Sequence, residues 1–314
     1  GIYGQRYDAA GVAAGSEFLV NTFTTDIQSD PAITALSDGG FVVAWQSSGQ
    51  DGSGLGIYGQ RYDAAGVAAG LEFRVNSQTI AGQDVTSVAG LSGGGFVVTW
   101  QSFLQDGDRG GIFAQRYDAA GVAAGSEFRV NTTIQDNQSN SSVTGLADGG
   151  FVVTWQSDTQ DGSDNGIYGQ RYNAAGVAQG GEFQINSTTA SDQEISSVTG
   201  LPDGGFIVTW QSNFQDGSSL GVYGQRFDAA GVAQDAEFRI NTYTTNAQIA
   251  PSVSDLADGG FVVTWASLGQ DGNNYGVFAQ RYASNHVSTG ALTIDGDASE
   301  GEVLTAQTAD IDDV

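Results

Sequence analysis

Short apolar runs alternate with polar, glycine-rich stretches along the chain, and two of these runs recur in a fixed register. The segment Gly-Gly-Phe-(Val/Ile)-Val-(Ala/Thr)-Trp occurs five times, each copy 55 residues after the previous one. The segment Gly-(Ile/Val)-(Tyr/Phe)-(Gly/Ala)-Gln-Arg-(Tyr/Phe) occurs six times at the same interval. The tryptophans of the first segment are Trp45, Trp100, Trp155, Trp210 and Trp265. The chain is therefore built from a 55-residue repeat.

Each repeat contains four β-prone runs, which we name A to D. In the third repeat they cover residues 142–146, 151–155, 166–172 and 182–186. An Asp-Gly pair separates run A from run B, and Asn-Ala-Ala-Gly separates run C from run D. Glycine takes the positive φ that a tight hairpin turn requires, so these runs are predicted to pair as antiparallel neighbours. Each repeat is thus expected to form one four-stranded sheet.

Repeated four-stranded units of this length predict an all-β fold, a β-propeller of about five blades over residues 1–286. A six-bladed ring and a linear β-repeat array are the alternatives. The chain has five A–B hairpins but six C runs, the first of them at residues 1–7. This surplus C–D pair either completes the last A–B pair as a closing clasp or belongs to an earlier blade.

The composition excludes several kinds of chemistry. The sequence contains no cysteine, no methionine and a single histidine, His286, outside the regular repeats. Thiol nucleophiles, disulfides and multi-histidine metal sites are therefore excluded within this chain. A formal net charge of −26 repels nucleic acids and anionic lipid surfaces, and no apolar run is long enough for a membrane-spanning helix. We expect neither a nucleic-acid partner nor membrane insertion.

The repeated aromatic residues of run B are predicted to form the core between blades, because they alternate with valines on one face of the strand. A second expectation concerns charge. One arginine in run C and one glutamate at the start of run D recur in each repeat, which predicts a structural Arg–Glu pair. Arg171 and Glu182 are the pair of the third repeat.

A Gln-Asp-Gly triplet in the B–C loop supplies the candidate metal ligands. Calcium requires six to eight oxygen ligands, and one carboxylate per loop provides few of them. The alternative is that these aspartates cap turns. Calcium is the candidate cofactor, although none is required. The aspartates are Asp51, Asp106, Asp161, Asp216 and Asp271.

Alternation along a blade places the short A–B and C–D turns at one end and the long B–C and D–A connections at the other. Because loops carry function on a rigid scaffold, we expect partners on the face of the long loops. Four aromatic residues in these loops are the predicted partner contacts, namely Phe103, Phe214, Tyr243 and Tyr275.

The segments Gly-Gly-Phe-Val-Val-Thr-Trp-Gln-Ser, Gly-Ile-Tyr-Gly-Gln-Arg-Tyr and Glu-Phe-Arg-Val-Asn resemble tandem repeats of very large secreted bacterial proteins, which stand near RTX-type and cadherin-like modules. The resemblance covers about residues 1–286. Residues 287–314 resemble a linker and the start of an Ig-like or cadherin-like domain. The resemblance implies an extracellular or cell-surface location and flanking domains in a longer chain.

The regularity of the repeats argues against an enzyme, since a catalytic centre needs different residues at one place, and no acid pair stands out. The sequence therefore predicts a non-enzymatic structural or adhesion module. The alternative is a multivalent propeller that binds carbohydrate or protein with one weak site per blade. Glycans or surface proteins are the expected partners.

Overall fold

The computed structural model describes residues 1–283 and, beyond them, the backbone of two paired strands, β22 (Thr293–Asp295) and β23 (Thr305–Gln307). The described chain is all-β, and no helix in it could span a membrane. The predicted second domain at 287–314 and His286 lie outside the described residues apart from these two strands. That domain stays a prediction.

Twenty-one strands precede them. The N-terminal hairpin consists of β1 (Tyr3–Gly4) and β2 (Phe18–Leu19). Blade 1 consists of β3 (Gln28–Ala35), β4 (Phe41–Ser48), β5 (Leu55–Tyr62) and β6 (Phe73–Arg74). Blade 2 consists of β7 (Gln83–Gly90), β8 (Phe96–Phe103), β9 (Gly110–Tyr117) and β10 (Phe128–Arg129). Blade 3 consists of β11 (Gln138–Gly145), β12 (Phe151–Asp158), β13 (Asn165–Tyr172) and β14 (Ala178–Gln184). Blade 4 consists of β15 (Gln193–Gly200), β16 (Phe206–Asn213), β17 (Leu220–Phe227) and β18 (Ala233–Arg239). Blade 5 contains β19 (Gln248–Asp255), β20 (Phe261–Leu268) and β21 (Tyr275–Tyr282).

The predicted five-bladed β-propeller is confirmed. Strands of each blade follow chain order and pair antiparallel, with run A innermost, and the described part of blade 5 contains its first three strands. The proposed clasp does not form, because β20 pairs with β21 of its own repeat rather than with β1. The N-terminal hairpin instead packs on blade 1, where Ile2 and Val20 cover Trp45.

The aromatic side chains of run B form the core between blades, as the alternating pattern predicts. Trp155 is completely buried among residues of blade 2, such as Val97 and Ile112, and of its own blade. Phe151 stacks on Tyr172 with 4.7 Å between ring centroids. Equivalent clusters fill the other interfaces between blades. This repeated burial of large apolar side chains is the main stabilising contribution.

The innermost strands approach each other closely around the axis. A Cβ atom added to Gly145 would lie 2.3 Å from the carbonyl oxygen of Gly90 in the preceding blade, so only glycine fits at this distance. Hydroxyl groups link the same strands. The backbone N–H of Gly200 donates to Thr144 Oγ1 at 3.1 Å, and that of Val198 donates to Ser142 Oγ at 3.3 Å. Small and hydroxylated residues in run A therefore hold consecutive blades together at the centre.

The predicted Arg–Glu pair is wrong, because the arginine of run C pairs with an aspartate of the A–B turn in its own blade. Arg171 Nη2 lies 3.7 Å from Asp148 Oδ2. The same pairing joins three further arginines and aspartates, Arg61 with Asp38, Arg226 with Asp203 and Arg281 with Asp258. The turn brings the aspartate beside the arginine, whereas the glutamate reaches the preceding blade.

The glutamate of run D accepts hydrogen bonds from the loop that connects the preceding blade to its own. Glu182 accepts hydrogen bonds from Thr132 N at 2.6 Å, from Thr133 Oγ1 at 2.9 Å and from Gln160 Nε2 at 2.5 Å. Burial alone would raise the pKa of Glu182, but these hydrogen bonds to its charged form together lower it below the ordinary value. Glu72, Glu127 and Glu237 make corresponding bonds. The ionised glutamate is therefore a link between blades.

We expect Glu182→Gln to lower the free energy of unfolding by about 1–2 kcal/mol at neutral pH, because it removes the charged acceptor that three partly buried or exposed donors share. The folded-state pKa is depressed, so the stabilisation is present above the ordinary pKa of a glutamate and is lost as the pH falls through the folded value. Urea unfolding at neutral and acidic pH measures this difference. Glu17→Gln is the matched control, since Glu17 is exposed at the equivalent position of the N-terminal hairpin. An equal loss at both pH values would contradict an electrostatic link.

Candidate functional site

The antiparallel order of each blade separates its connections. The A–B and C–D turns lie together at one end, which we call the turn face, and the B–C and D–A loops lie at the other end, the loop face. Of the four aromatic residues predicted as contacts, Phe214 and Tyr275 are exposed on the loop face, whereas Phe103 and Tyr243 are partly buried. A binding role for these four residues stays a prediction.

The aspartates of the Gln-Asp-Gly triplets cap the turns of the B–C loops. Asp51 Oδ1 accepts from the backbone N–H of Ser53 at 3.0 Å, and Asp161 Oδ1 accepts from that of Ser163 at 3.0 Å. The same bond, from the residue two positions later, is made at Asp106, Asp216 and Asp271. Within residues 1–283, three or more acidic or histidine side chains do not converge on a possible metal position. Calcium binding by these loops stays a prediction.

Each innermost strand contains a β-bulge near its first residue, at the loop face. In β3 the register shifts between Ser29 and Ala32, so that two residues lie opposite Trp45. One bulge residue in every blade has a φ between 49° and 53°, in the left-handed region. These residues are Asp30, Val85, Asn140, Ile195 and Ala250. Positive φ is unfavourable for β-branched residues, so the bulges reduce the stability of the fold. Bulges also change the direction in which side chains point.

The bulges are also where the repeat loses its chemical symmetry. The residue before the positive-φ position differs in character from blade to blade, being Ser29, Asp84, Ser139, Glu194 and Ile249. The propeller fold gathers the starts of its innermost strands around the axis. Asp30 and Asp84, in neighbouring blades, lie close enough for their charges to interact, and Glu194 stands at the position of Asp84 in blade 4. Asparagine, serine and aliphatic residues stand at the other bulge positions.

Asp84 is the most unusual of the three carboxylates. It is partly buried, and its Oδ1 atom is buried without a hydrogen-bond partner among the described residues. Burial, and secondly the negative charge of Asp30, raise the pKa of Asp84. Asp30 is exposed and accepts a hydrogen bond from Gln46 Nε2 at 2.5 Å. The two neighbouring blades thus bring together one partly buried acid of raised pKa and one exposed carboxylate.

Glu194 is a second partly buried carboxylate at a bulge, in blade 4. Burial, and then the charge of Asp192, raise its pKa, while hydrogen bonds from Gln211 and Asn165 act in the opposite direction. Gln211 Nε2 lies 3.4 Å from Glu194 Oε2, and Asn165 Nδ2 lies 3.2 Å from Glu194 Oε1. These amides orient the carboxylate. Carboxyl groups with perturbed pKa values are candidates for acid–base sites.

Sequence reasoning missed this site for a definite reason. Asp84 stands where blade 1 has Ser29, and Asp30 stands where blade 2 has Val85, so the two acids are out of register by one residue. In the sequence, each acid therefore resembles an ordinary substitution in a polar loop. One sequence signal could have revealed the site. The residue just before the bulge is a glutamine in all five blades, whereas the bulge residues differ from blade to blade. In blade 2 this glutamine is Gln83, which is completely buried.

No family model matches the chain, and no curated protein matches it significantly in sequence. Solved structures do match in shape. A protein of unknown function from Dyadobacter fermentans has a TM-score of 0.58 at 10% identity, over 81% of this chain and 78% of that one. An α-L-arabinanase from Penicillium chrysogenum in complex with arabinobiose has a TM-score of 0.52 at 15% identity, over 82% and 77%. A family 93 α-L-arabinofuranosidase from Fusarium graminearum, also with arabinobiose, has a TM-score of 0.50 at 13% identity, over 79% and 79%. At such identities the likeness shows the fold.

These comparisons correct two sequence-based expectations. The propeller part of the resemblance to bacterial repeats is confirmed, but the two similar structures of known activity are glycan-cleaving enzymes rather than adhesin repeats. The prediction of a non-enzymatic structural or adhesion module is therefore wrong. That prediction assumed that every blade carries the same residues. The assumption fails at the bulges, where the residues differ from blade to blade. Both enzymes contain a bound glycan, which agrees with the expected glycan partner at this general level.

Proposed function

We propose that the protein is a glycoside hydrolase whose site lies on the loop face, at the bulges of the innermost strands. The observation that carries the proposal is Asp84, a partly buried acid with an unpartnered buried oxygen beside the solvated carboxylate of Asp30. Such an oxygen is costly to leave without a partner, and a reactive role is one reason for a fold to retain it. The glycan-cleaving propellers of similar shape support the same conclusion.

Most glycoside hydrolases use two carboxyl groups with different protonation states. Protonated Asp84 donates its proton to the glycosidic oxygen as the bond to the anomeric carbon breaks. The carboxylate of Asp30 accepts a proton from the water that attacks this carbon. Alternatively, Asp30 attacks the carbon to form a glycosyl ester, which water then hydrolyses while Asp84 takes up the proton of that water. The raised pKa of Asp84 keeps its proton available at higher pH, and exposure keeps Asp30 solvated.

In the proposed site, Glu194 accepts hydrogen bonds from the hydroxyl groups of the sugar. Its carboxylate is fixed by Asn165 and Gln211, so it offers acceptor atoms in a constant direction. The substrate is a neutral glycan, because a net charge of −26 repels uronic acid polymers. Arabinose-containing glycans are the first candidates, since two enzymes of this shape hold arabinobiose. A polymeric substrate also fits the extracellular location that the sequence resemblance implies.

The test is release of new reducing ends from arabinan and arabino-oligosaccharides by the purified protein. We expect release by the unmodified protein and none above background by the double variant Asp30→Asn with Asp84→Asn. Asp228→Asn is the matched control, because Asn173 occupies that position in blade 3 and accepts the same two backbone hydrogen bonds. Equal rates for the double variant and the control would overturn the assignment. A panel of neutral glycans from which the unmodified protein releases nothing would overturn the function itself.

A further inference from the structure

The A–B turn of blade 2 lacks a carboxylate that the other blades possess. Its sequence is Ser92-Gly93-Gly94-Gly95, whereas blade 3 has Ala147-Asp148-Gly149-Gly150. In blades 1, 3, 4 and 5 the aspartate at the second position pairs with the run C arginine. Gly93 leaves the arginine of blade 2, Arg116, without this partner.

Arg116 turns toward the next blade instead. Its Nη1 donates to the carbonyl oxygen of Ala175 at 2.7 Å, and its Nη2 donates to that of Ala174 at 2.5 Å. The Nε atom is buried without a partner among the described residues. Neutral carbonyl oxygens thus replace a carboxylate, and the positive charge of the guanidinium is not balanced as it is in the other blades.

A cleft occupies the place where the carboxylate is missing. It has a volume of about 470 Å³, lies on the turn face between blades 2 and 3, and is lined by Gly93, Arg116, Tyr117, Asp118 and Asp148 among others. A Cβ atom added to Gly93 would meet no heavy atom within 4 Å. The volume falls in the range of small-molecule sites.

The two aspartates of the cleft are already engaged. Asp118 Oδ1 accepts from the backbone N–H groups of Ala120 and Val122, both at 2.9 Å. Asp148 Oδ1 accepts from Gly150 N at 2.8 Å, and its Oδ2 faces Arg171. The cationic group of the cleft that has no carboxylate partner is therefore Arg116.

We propose that this cleft binds the carboxylate group of a small ligand, which takes the position that an aspartate side chain holds in the other four blades. The guanidinium of Arg116 pairs with the two ligand oxygens, and the glycines of the turn give the ligand room. A sugar acid and the C-terminus of a peptide share this chemistry. The site lies at the opposite end of the strands from Asp84 and is independent of the proposed hydrolysis.

Titration by NMR tests the proposal with glucuronate, with glucose as its neutral counterpart, and with a short peptide and its C-terminal amide. We expect chemical-shift changes at Gly93, Gly94 and Arg116 with the carboxylates and none with the neutral counterparts. Shifts with glucuronate alone identify a sugar acid, and shifts with the peptide alone identify a C-terminus. Identical shifts with acid and neutral partners, or no shift at millimolar concentrations of any probe, would overturn the proposal.

Gly93→Asp is the decisive variant, because it supplies the missing carboxylate from the chain itself. It should pair with Arg116, retain the fold and weaken carboxylate binding at least about tenfold, a change of 1.4 kcal/mol. Gly181→Ala is the control, since Ala236 stands at the equivalent position of blade 4 and a Cβ at Gly181 meets no atom within 4 Å. Undiminished binding by Gly93→Asp would refute the site. Release of reducing ends from arabinan should be the same in both variants.

Discussion

Replacement of Asp84 by asparagine is expected to slow glycan hydrolysis by about 10²- to 10⁴-fold, the usual contribution of a positioned proton donor. Asparagine has nearly the same shape but cannot transfer the proton to the glycosidic oxygen. Asp84 lies in a bulge on the loop face, away from the aromatic clusters between blades, so the fold should persist. Initial rates on arabinan measure the loss, with Asp228→Asn as the control. A variant that retains the rate of the unmodified protein would exclude Asp84 as the acid.

The same substitution should leave the melting temperature at neutral pH unchanged or raise it. The pKa of Asp84 is raised in the folded state by burial and by Asp30, so its charged form is less favourable there than in the unfolded chain. This cost is present above the folded pKa and disappears as the pH falls through it. Hydrolysis by the unmodified protein should decline as the pH rises through that value. A lower melting temperature in the variant would indicate a structural role instead.

Trp155→Ala is expected to lower the free energy of unfolding by about 3–5 kcal/mol, since it leaves a cavity in a close-packed interface between two blades. Trp155 is completely buried, and its Nε1 atom has no hydrogen-bond partner in the described part of the chain. Trp155→Phe should therefore cost clearly less, because it retains most of the apolar surface and loses no hydrogen bond. Urea unfolding of the three proteins measures both differences. Equal losses for alanine and phenylalanine would show that packing is not the main contribution.

The sequence predicts the scaffold well because its signals are local and repeated. The interval between tryptophans places every run B strand, and Asp-Gly turns such as Asp148-Gly149 establish the hairpins. Strand lengths are less accurate. Run A extends over Gln138–Gly145, beyond the predicted 142–146, because polar residues before the apolar core also join the sheet. Antiparallel alternation correctly places the short turns at one end of each blade and the long loops at the other.

The site and the ion pairs could not be predicted in the same way, because they depend on backbone geometry and on contacts between distant residues. Residues as different as Asp30, Val85 and Ala250 occupy the same positive-φ position, so the bulge has no residue signature. The partner of Arg171 depends on where the A–B turn lies relative to run C, which composition does not reveal. Glu182 contacts a loop 50 residues earlier in the chain, and only the packing of blades shows this.

The links between blades also bear on folding during synthesis. Glu182 bonds to Thr132, Gly200 to Thr144 and Arg116 to Ala175, at separations of 50, 56 and 59 residues, and each joins a blade to the one made after it. During translation, the loops and the innermost strand of a blade therefore cannot form these bonds until about one further repeat has been synthesised. A translational pause within a repeat would leave the newest blade without these bonds while the older blades are already joined. We therefore expect the bonds between the described blades to form from the N-terminal side, about one repeat after each blade leaves the ribosome.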